Sequence, residues 1–324
     1  MKKIVNIFVI VFFVLISVNL ACAQQAKKIH KIGFLTKGKG FSNKEALQKG
    51  LREFGFIEGQ NISFEYRFAG GKDDLLPSLA AELVSLDVDV IIAAGCPAGD
   101  AAKEATKTIP IVARTANPVM TGLVASFAHP GGNITGCTIM TGSEFYSKRL
   151  ELLKQVAPSA SKIGVLWHPG IDSHRLSLKG LRATATGFGM TLLPLDAKVP
   201  EDMDSVFVRM KEERPGTLLN FGDPLFTTYR KQIADFAIEN RIPTNFTHAG
   251  FVDAGALMSY GPNGDELSRR VGIFVGKILK GAKPADLPIE QPVKFDLVIN
   301  LKTAEKIGLT IPPEVLLQAT KVIK

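Results

Sequence analysis

The chain has few of the residues that usually mark catalytic or metal chemistry. It holds three cysteines, five histidines and one tryptophan in 324 residues. No CxxC pair and no Cys/His spacing typical of a metal site occurs in it, so we expect no metal and no other cofactor. Basic residues are scattered among acidic ones, without an arginine-rich run or a basic patch interleaved with aromatic residues. We therefore expect no nucleic acid partner.

Motifs for nucleophilic catalysis and phosphate binding are lacking as well. His168 and His174 have no carboxylate or serine partner at a recognisable spacing, which argues against a hydrolase. The glycine-rich segment "GKGFSN" matches neither GxGxxG nor GxxxxGK followed by Ser or Thr. The sequence therefore predicts a protein that is not an enzyme.

Residues 1–23 have the layout of a secretory leader. Two lysines precede the apolar segment "IVNIFVIVFFVLISV", which is too short to span a bilayer comfortably as a permanent helix. The motif Ala21-Cys22-Ala23 predicts cleavage after Ala23 and a soluble periplasmic or secreted protein. Lipidation of Cys22 is the alternative, although Asn19 stands where lipoprotein signals usually have Leu. Loss of the two leader lysines lowers the net charge from +8 to about +6.

Cys96 and Cys137 are the cysteines that remain after the leader. They could form one disulfide in an oxidising compartment, or they could be two small buried thiols. A helix N-terminus can activate a thiol, but no motif places a His or an Asn/Asp pair beside Cys96, which argues against a catalytic cysteine.

From Lys31 onward, short β-branched segments alternate with amphipathic helical segments. The predicted strands of the first half are "KIGFLT", "NISFEYRFA", "VDVIIAAG" and "IPIVART". Bounded by Gly and Pro, this alternation predicts a parallel sheet covered by helices on both faces. After "HPGGNITG" the pattern begins again: "SKIGVLWHPG" resembles "HKIGFLTKGKG", and "GTLLNFGD" resembles "VDVIIAAGC". This weak internal duplication indicates a five-strand unit that occurs twice.

We accordingly predict an α/β fold with two Rossmann-like lobes, each a parallel sheet flanked by helices. Lobe 1 is expected to comprise residues 29–137 and about 253–291, and lobe 2 about 138–252 and 292–324. The chain would then cross between the lobes more than once, and a cleft would lie between them.

In such sheets ligands bind beyond the carboxyl ends of the strands. The loop after the first strand offers Gly38, which permits close backbone approach, and Phe41, which could cover an apolar group; a plain surface turn is the alternative. A later loop places Cys96, Pro97 and Ala98 at a helix N-terminus, whose free N–H groups suit a ligand carboxylate. Because any βα turn needs small residues, a purely structural role is the alternative for this loop.

Four further loop residues complete the predicted site. Thr115 and Asn117 could hold the same carboxylate from the other side, although Asn117 could instead cap a turn. In the second unit, Trp167 at a strand end offers an aromatic wall or packs in the core. Asp223 could accept a ligand ammonium or serve as an N-cap. Together these groups suit a zwitterion such as an amino acid, bound without being altered.

Long segments of the mature chain match a known family closely. Among them are "FGFIEGQNISFEYRFAGG", "TIPIVARTANPVMTGLVASFAHPGGNITG", "KRLELLKQVAPSASKIGVLW" and "KILKGAKPADLPIEQPVKFDLVINLKTAEKIGLTIPPEVL". They resemble the ABC transporter substrate-binding family that is often described as tryptophan/tyrosine-type, and the resemblance covers essentially the whole mature chain. It implies a type I periplasmic-binding-protein fold, three hinge crossings and a ligand in the cleft. It also implies delivery of the ligand to an ABC permease and an ATPase on separate chains.

Two loop positions depart from the family pattern. Asn117 stands where the family usually has Asp, and Cys96 where it usually has Thr or another small residue. An aromatic amino acid as the ligand follows from the resemblance alone. We expect a monomeric, extracytoplasmic component of an ABC importer that captures an amino acid or a related carboxylate by hinge closure. An extracytoplasmic sensor of a signalling system with the same fold is the alternative.

Overall fold

The structure is a computed structural model that describes residues 28–40, 43–139 and 143–324. The predicted leader, with its candidate lipidation site Cys22, lies outside the described residues, and so does Phe41. Among the helices of the described ranges, none combines the length and the apolar character needed to cross a bilayer.

Five parallel strands form the sheet of lobe 1, in the order β2-β1-β3-β4-β5. The strands are β1 (His30–Thr36), β2 (Ile62–Phe68), β3 (Val90–Ala94), β4 (Ile111–Thr115) and β5 (Ile134–Thr138). Between them run α1 (Lys44–Arg52), a 3₁₀ turn (Asp73–Leu75), α2 (Leu76–Ser85) and α3 (Cys96–Ala105). Every residue of β3 is buried, because helices cover both faces of this sheet.

Seven strands form the sheet of lobe 2, in the order β12-β11-β10-β9-β8-β6-β7. They are β6 (Lys162–Trp167), β7 (Thr191–Asp196), β8 (Thr217–Asn220), β9 (Thr244–Phe246), β10 (Met258–Pro262), β11 (Phe295–Asn300) and β12 (Lys321–Ile323). The helices of this lobe are α4 (Ser143–Val156), α5 (Asp172–Gly187), α6 (Asp202–Glu213), α7 (Pro224–Thr228), α8 (Arg230–Glu239), α9 (Ala249–Asp253), α11 (Leu301–Lys306) and α12 (Pro313–Leu316).

The two sheets repeat one strand order. In lobe 2 the first five strands lie as β7-β6-β8-β9-β10, which matches β2-β1-β3-β4-β5 position by position. The five-strand unit predicted from the sequence is thus present twice. β10 is the fifth strand of the second copy and pairs with β9, whereas the sequence pattern predicts that residues from about 253 belong to lobe 1. The second five-strand unit needs β10 to complete its sheet. The chain therefore returns to lobe 1 only after Pro262.

The chain passes between the lobes three times: between β5 and α4, between β10 and α10 (Gly264–Leu279), and between a 3₁₀ turn (Pro284–Asp286) and β11. The last passage explains why β11 runs antiparallel to β10. A strand that enters lobe 2 from the side of lobe 1 starts at the edge where the other strands end.

α10 packs against α1 and completes lobe 1 with residues from late in the chain. The Asn263 side chain caps this helix by accepting the N–H of Glu266. The two helices touch at glycines: a Cβ on Gly272 would lie 2.2 Å from the carbonyl oxygen of Leu47, and one on Gly50 would lie 2.0 Å from backbone of the facing helix. Only glycine permits this approach.

Candidate functional site

The carboxyl ends of the two sheets face each other, and charged side chains from both lobes meet there. Lys37 directly follows β1, and Asp73 lies in the 3₁₀ turn after β2. From lobe 2, His168 directly follows β6, and Asp223 lies just beyond β8. Four loops that are distant in sequence therefore supply one cluster, which we call the polar end of the cleft.

Lys37 is at the centre of the polar end and is fully buried. Its Nζ donates to the carbonyl oxygen of Lys198 in lobe 2 at 2.8 Å and to Asp73 Oδ2 in its own lobe at 3.1 Å. The same nitrogen lies 3.8 Å from Asp223 Oδ1. One buried ammonium thus joins the lobes and stands between two carboxylates.

His168 also joins the lobes. Its Nδ1 accepts the N–H of Gly170 at 3.0 Å, so the ring proton is on Nε2, which donates to Asp73 Oδ2 at 2.8 Å. Behind it, His174 Nδ1 accepts the backbone N–H of His168. Burial lowers the pKa of His174 to about 3, so this ring is neutral.

Asp223 is an N-cap, which is one of the two roles that the sequence allowed. Its Oδ1 accepts the N–H of Leu225 at 2.7 Å and caps α7. Its Oδ2 is buried and has no hydrogen-bond partner within the described part of the chain. Burial raises the pKa of Asp223, and the charge of Lys37 opposes this only in part. A positive group placed at Oδ2 would offset the cost of burying this carboxylate.

A second contact between the lobes is apolar. Cys96 and Ala116 of lobe 1 belong to the same buried cluster as Tyr146 and Phe221 of lobe 2, and we call this contact the apolar end of the cleft. Burial raises the pKa of Cys96 to about 11, so its thiol is neutral at pH 7. Cys96 and Cys137 are free thiols, both buried, which decides between the two states that the sequence allowed.

The N-terminus of α3 lies between the two ends of the cleft. Pro97 stands in its first turn, Ala98 is fully buried, and Gly95 precedes the helix with φ +103°. Beside it, the hydroxyl of Thr115 is buried and has no partner in the described ranges. Helix N–H groups together with a hydroxyl that lacks a partner form a set of donors for a carboxylate.

Pro224 of lobe 2 rests against glycines of lobe 1. A Cβ on Gly95 would lie 3.4 Å from the ring of Pro224, and one on Gly38 would lie 3.5 Å from it. The predicted glycine Gly38 is therefore a point where the lobes approach closely.

Two predicted residues have other partners in the structure. Asn117 adopts φ +33°, and its Oδ1 accepts the N–H of Met120, so it stabilises a turn, as the alternative interpretation had it. Trp167 lies at the end of β6 and donates its indole N–H to Asp196 Oδ1 on the edge strand β7. That bond holds the ring toward its own lobe. Phe41 stays a prediction, because it lies outside the described residues.

Sequence reasoning missed Lys37 and Asp73 and found no carboxylate for His168, whose partner Asp73 lies 95 positions away. A lysine after β1 and an aspartate after the neighbouring β2 are a signal that could have linked the first two. The bond to His168 depends on how the lobes dock, which the sequence spacing does not reveal.

An open depression of about 580 Å³ lies at the N-termini of α1 and α10 and is lined by Asn43, Lys44, Glu45, Ala46, Gln48 and Asp265. We place the site in the cleft instead, because buried polar atoms without partners, Thr115 Oγ1 and Asp223 Oδ2 among them, are found there.

Comparisons with known proteins show which proteins this chain is similar to. Among curated proteins, a tyrosine-binding protein of Clostridioides difficile (strain R20291) is 27% identical over 269 residues, which are 82% of this chain and 76% of that protein. A solved structure of a conserved domain protein from Vibrio cholerae superposes with a TM-score of 0.82 at 27% identity, covering 91% of this chain and 99% of the other.

Of two further similar solved structures, one contains a ligand and the other is ligand-free. An ABC domain from Streptococcus pneumonia in complex with L-Trp superposes with a TM-score of 0.83 at 25% identity, covering 91% of this chain and all of the other. The ligand-free, open structure of a substrate-binding protein with adhesive properties from Clostridium difficile superposes with a TM-score of 0.62 at 26% identity, with the same coverage.

The fold is that of type I periplasmic binding proteins, with two α/β lobes and a cleft between them. Substrate-binding proteins of ABC systems are extracytoplasmic and in general not enzymes. The model of the family described as ABC transporter substrate binding protein matches residues 34–323, almost the whole chain. This chain belongs to that family.

Proposed function

We propose that this protein captures an amino acid between its lobes and delivers it to an ABC importer. The observation that carries the proposal is the buried Asp223 Oδ2, an acceptor without a partner in the described residues, across the cleft from the donors at the N-terminus of α3. An acceptor for a cation and donors for an anion on opposite lobes match the two charges of a zwitterion.

Each group of an amino acid has a counterpart in the cleft. Asp223 Oδ2 accepts the ammonium. Because this carboxylate is buried, it costs free energy when it is charged and unpaired. The carboxylate is received by the N–H groups of α3 and by the hydroxyl of Thr115. Asp223 belongs to lobe 2 and the donors for the carboxylate belong to lobe 1, so this grip needs both lobes.

The side chain of the ligand is directed to the apolar end of the cleft, at Cys96, Ala116 and Phe221. Ring-lined apolar surface of this kind suits an aromatic side chain. The tyrosine-binding relative and the complex with L-Trp support the same class of ligand.

Closure of the lobes is proposed as the capture step. The interlobe contacts of Lys37, His168 and Pro224 hold the two sheet edges together. In keeping with this, the superposition is better on the complex with L-Trp, at a TM-score of 0.83, than on the ligand-free open structure, at 0.62, although the identities are nearly equal. A ligand that binds only the closed arrangement shifts the population toward it.

We further propose that the protein acts as a monomer outside the cytoplasm, after removal of residues 1–23. The permease and the ATPase of the importer are then its partners. Retention of Cys22 as a lipidated N-terminus is the alternative outcome, and mass spectrometry of the protein from its native host distinguishes the two.

The test is calorimetric titration of the protein, expressed from Gln24 and refolded from denaturant to remove any bound ligand, with each proteinogenic amino acid. We expect one aromatic amino acid to bind and to raise the melting temperature by mass action, with about 2.7 kcal/mol of stabilisation at a hundred times the dissociation constant. X-ray scattering with and without that amino acid then measures the closure. If no amino acid binds to protein that is demonstrably refolded, the proposed function is wrong.

A further inference from the structure

The charges at the polar end of the cleft do not cancel, and of the three groups only Asp73 is partly exposed. Asp73 and Asp223 bring two carboxylates, and Lys37 brings one ammonium within 3.8 Å of both. Lys37 is fully buried, and only 3% of Asp223 is exposed, so solvent screens the pair of charges poorly.

The neighbouring groups do not supply the missing positive charge. His168 accepts at Nδ1 and donates at Nε2, so its neutral form already satisfies both of its nitrogens. His174 accepts at Nδ1, and its burial keeps it neutral. The thiol of Cys96 is neutral as well. With both carboxylates ionised, the closed polar end therefore carries one negative charge in excess.

The same two carboxylates each keep one oxygen without a partner. Asp73 Oδ2 takes the bonds from Lys37 and His168, while its Oδ1 is buried and has no partner among the residues described. Asp223 is arranged alike, with Oδ1 bonded and Oδ2 without a partner. The position of Lys37 Nζ demonstrates that one cationic nitrogen can lie near both side chains at once.

We propose that Asp73 and Lys37 set the charge of the ligand: Asp73 adds a second carboxylate to the site, Lys37 neutralises one of the two, and the remaining charge selects ligands that bring one cationic nitrogen. This inference rests on the proposed function and deepens it. Zwitterionic amino acids meet the requirement. Their deaminated analogues, which bring a carboxylate alone, leave the buried charge unpaired and are rejected.

The experiment compares L-tryptophan with indole-3-propionate, which lacks the amino group, by calorimetric titration of the full mature chain; L-tyrosine and its deaminated analogue replace them if tyrosine binds more tightly. In the wild type we expect the amino acid to bind at least about 30-fold more tightly than the analogue, which is the lower end of the cost of leaving a buried charge unpaired. The ratio of the two dissociation constants is the readout.

Two variants move this ratio in opposite directions. Asp73→Asn removes the excess charge, so the ratio falls by about tenfold or more. Lys37→Met doubles the excess charge, so the ratio rises. The matched control is Asp74→Asn, which removes the same charge from an exposed side chain of the same turn and leaves the ratio unchanged.

The ratio separates charge selection from a purely structural role. If Asp73 and Lys37 only hold the lobes together, each variant weakens both ligands by the same factor, and the inference is overturned. The inference also fails if the deaminated analogue binds the wild type as tightly as the amino acid. In either case an amino acid still binds, so the proposed function survives, whereas absence of binding by every amino acid refutes both.

Discussion

His168 Nε2 lies 2.8 Å from Asp73 Oδ2, so a histidine of lobe 2 is bonded to a carboxylate of lobe 1 that precedes it by 95 positions. Only 4% of His168 is exposed, and the same carboxylate oxygen accepts Lys37. A bond between the lobes exists only while the lobes are together. In the proposed capture step, it therefore stabilises the closed arrangement independently of the ligand and adds to the ligand's own contribution.

Replacing His168 by alanine removes this bond, and we expect faster release of the ligand. A hydrogen bond to a charged group contributes about 1.5–3 kcal/mol, so the dissociation rate should rise roughly ten- to hundredfold. The association rate should change less, because it precedes closure. Stopped-flow displacement measures both rates. His129→Ala, at an exposed histidine of lobe 1, is the control, and an unchanged release rate in His168→Ala would contradict the role of the bond.

Asp223→Asn should weaken ligand binding and leave the fold intact. Asn retains the oxygen that caps α7 at Leu225, so the fold is preserved. Affinity for the amino acid should fall by about 30-fold or more, since the ammonium loses its charged partner. Calorimetry measures the affinity, and circular dichroism checks the fold. Wild-type affinity in this variant would remove Asp223 from the site.

The ligand-free Asp223→Asn variant should be at least as stable as the wild type at pH 7. Burial raises the pKa of Asp223 in the folded protein, so the folded state binds this proton more tightly than the unfolded state. Stability is then lost as the pH rises through the folded pKa, and Asn avoids that loss. The difference should vanish below the unfolded pKa of about 3.9. Thermal unfolding from pH 3.5 to 7.5 measures it, and a variant that is less stable throughout would contradict this reasoning.

Acid should weaken ligand binding through Asp223 before it affects Asp73. Burial raises the pKa of Asp73, but the bond from His168 and the charge of Lys37 outweigh burial and leave this pKa below its usual value. The contribution of Asp73 is therefore present above the unfolded pKa and is lost only as the pH falls through the lower, folded value. Titrations from pH 7 to pH 4 should show a fall in affinity that Asp223→Asn lacks. An equal fall in both proteins would assign the acid sensitivity to another group.

Cys96 should report closure, with Cys137 as an internal control. Both thiols are buried, and burial raises their pKa to about 11 and about 12. Cys96 packs against residues of lobe 2, whereas Cys137 packs within lobe 1. Opening of the cleft therefore uncovers Cys96 alone. Ellman's reagent should modify Cys96 more slowly in the presence of a bound amino acid and leave the rate at Cys137 unaffected. Equal protection of both thiols would indicate a global effect instead.

Gly272→Ala should destabilise the fold without touching the cleft. The added Cβ would lie 2.2 Å from the carbonyl oxygen of Leu47, so α1 and α10 must separate. Overpacking of this kind costs about 1–3 kcal/mol. Denaturant titration measures the loss. Gly187→Ala is the control, because the space around its Cβ is open and alanine favours the helix. A stable Gly272→Ala protein would show that the helices can shift at little cost.

Sequence patterns sufficed for the lobes, because strands and helices follow from local periodicity and the same order recurs in both halves. The sequence also placed Gly38, the N-terminus of α3, Thr115 and Asp223 at the carboxyl ends of parallel strands, where the structure has them. The sequence could not predict in which direction a side chain at a strand end points. Trp167 was placed at the correct strand end, but its orientation depends on Asp196 of a neighbouring strand, which is paired in space and not in sequence.

The polar end of the cleft was beyond sequence reasoning for the same reason. Lys37, Asp73 and His168 look like ordinary loop residues when each is taken in its own segment. Their chemistry arises when two separately folded sheets dock, and a docking contact leaves no periodic signal. The sequence pattern assigned β10 to lobe 1, whereas the structure has it in lobe 2. Its sequence fits a strand of either sheet, and only its pairing with β9 decides to which sheet it belongs.

The late position of α10 has a consequence for biosynthesis. The apolar face of lobe 1 that receives Val271, Phe274 and Val275 is synthesised first but stays uncovered until the ribosome has translated as far as Leu279. The nascent first half therefore cannot settle into its final shape while most of the polypeptide is still being made. The delay lengthens the time during which the nascent chain is not yet compact.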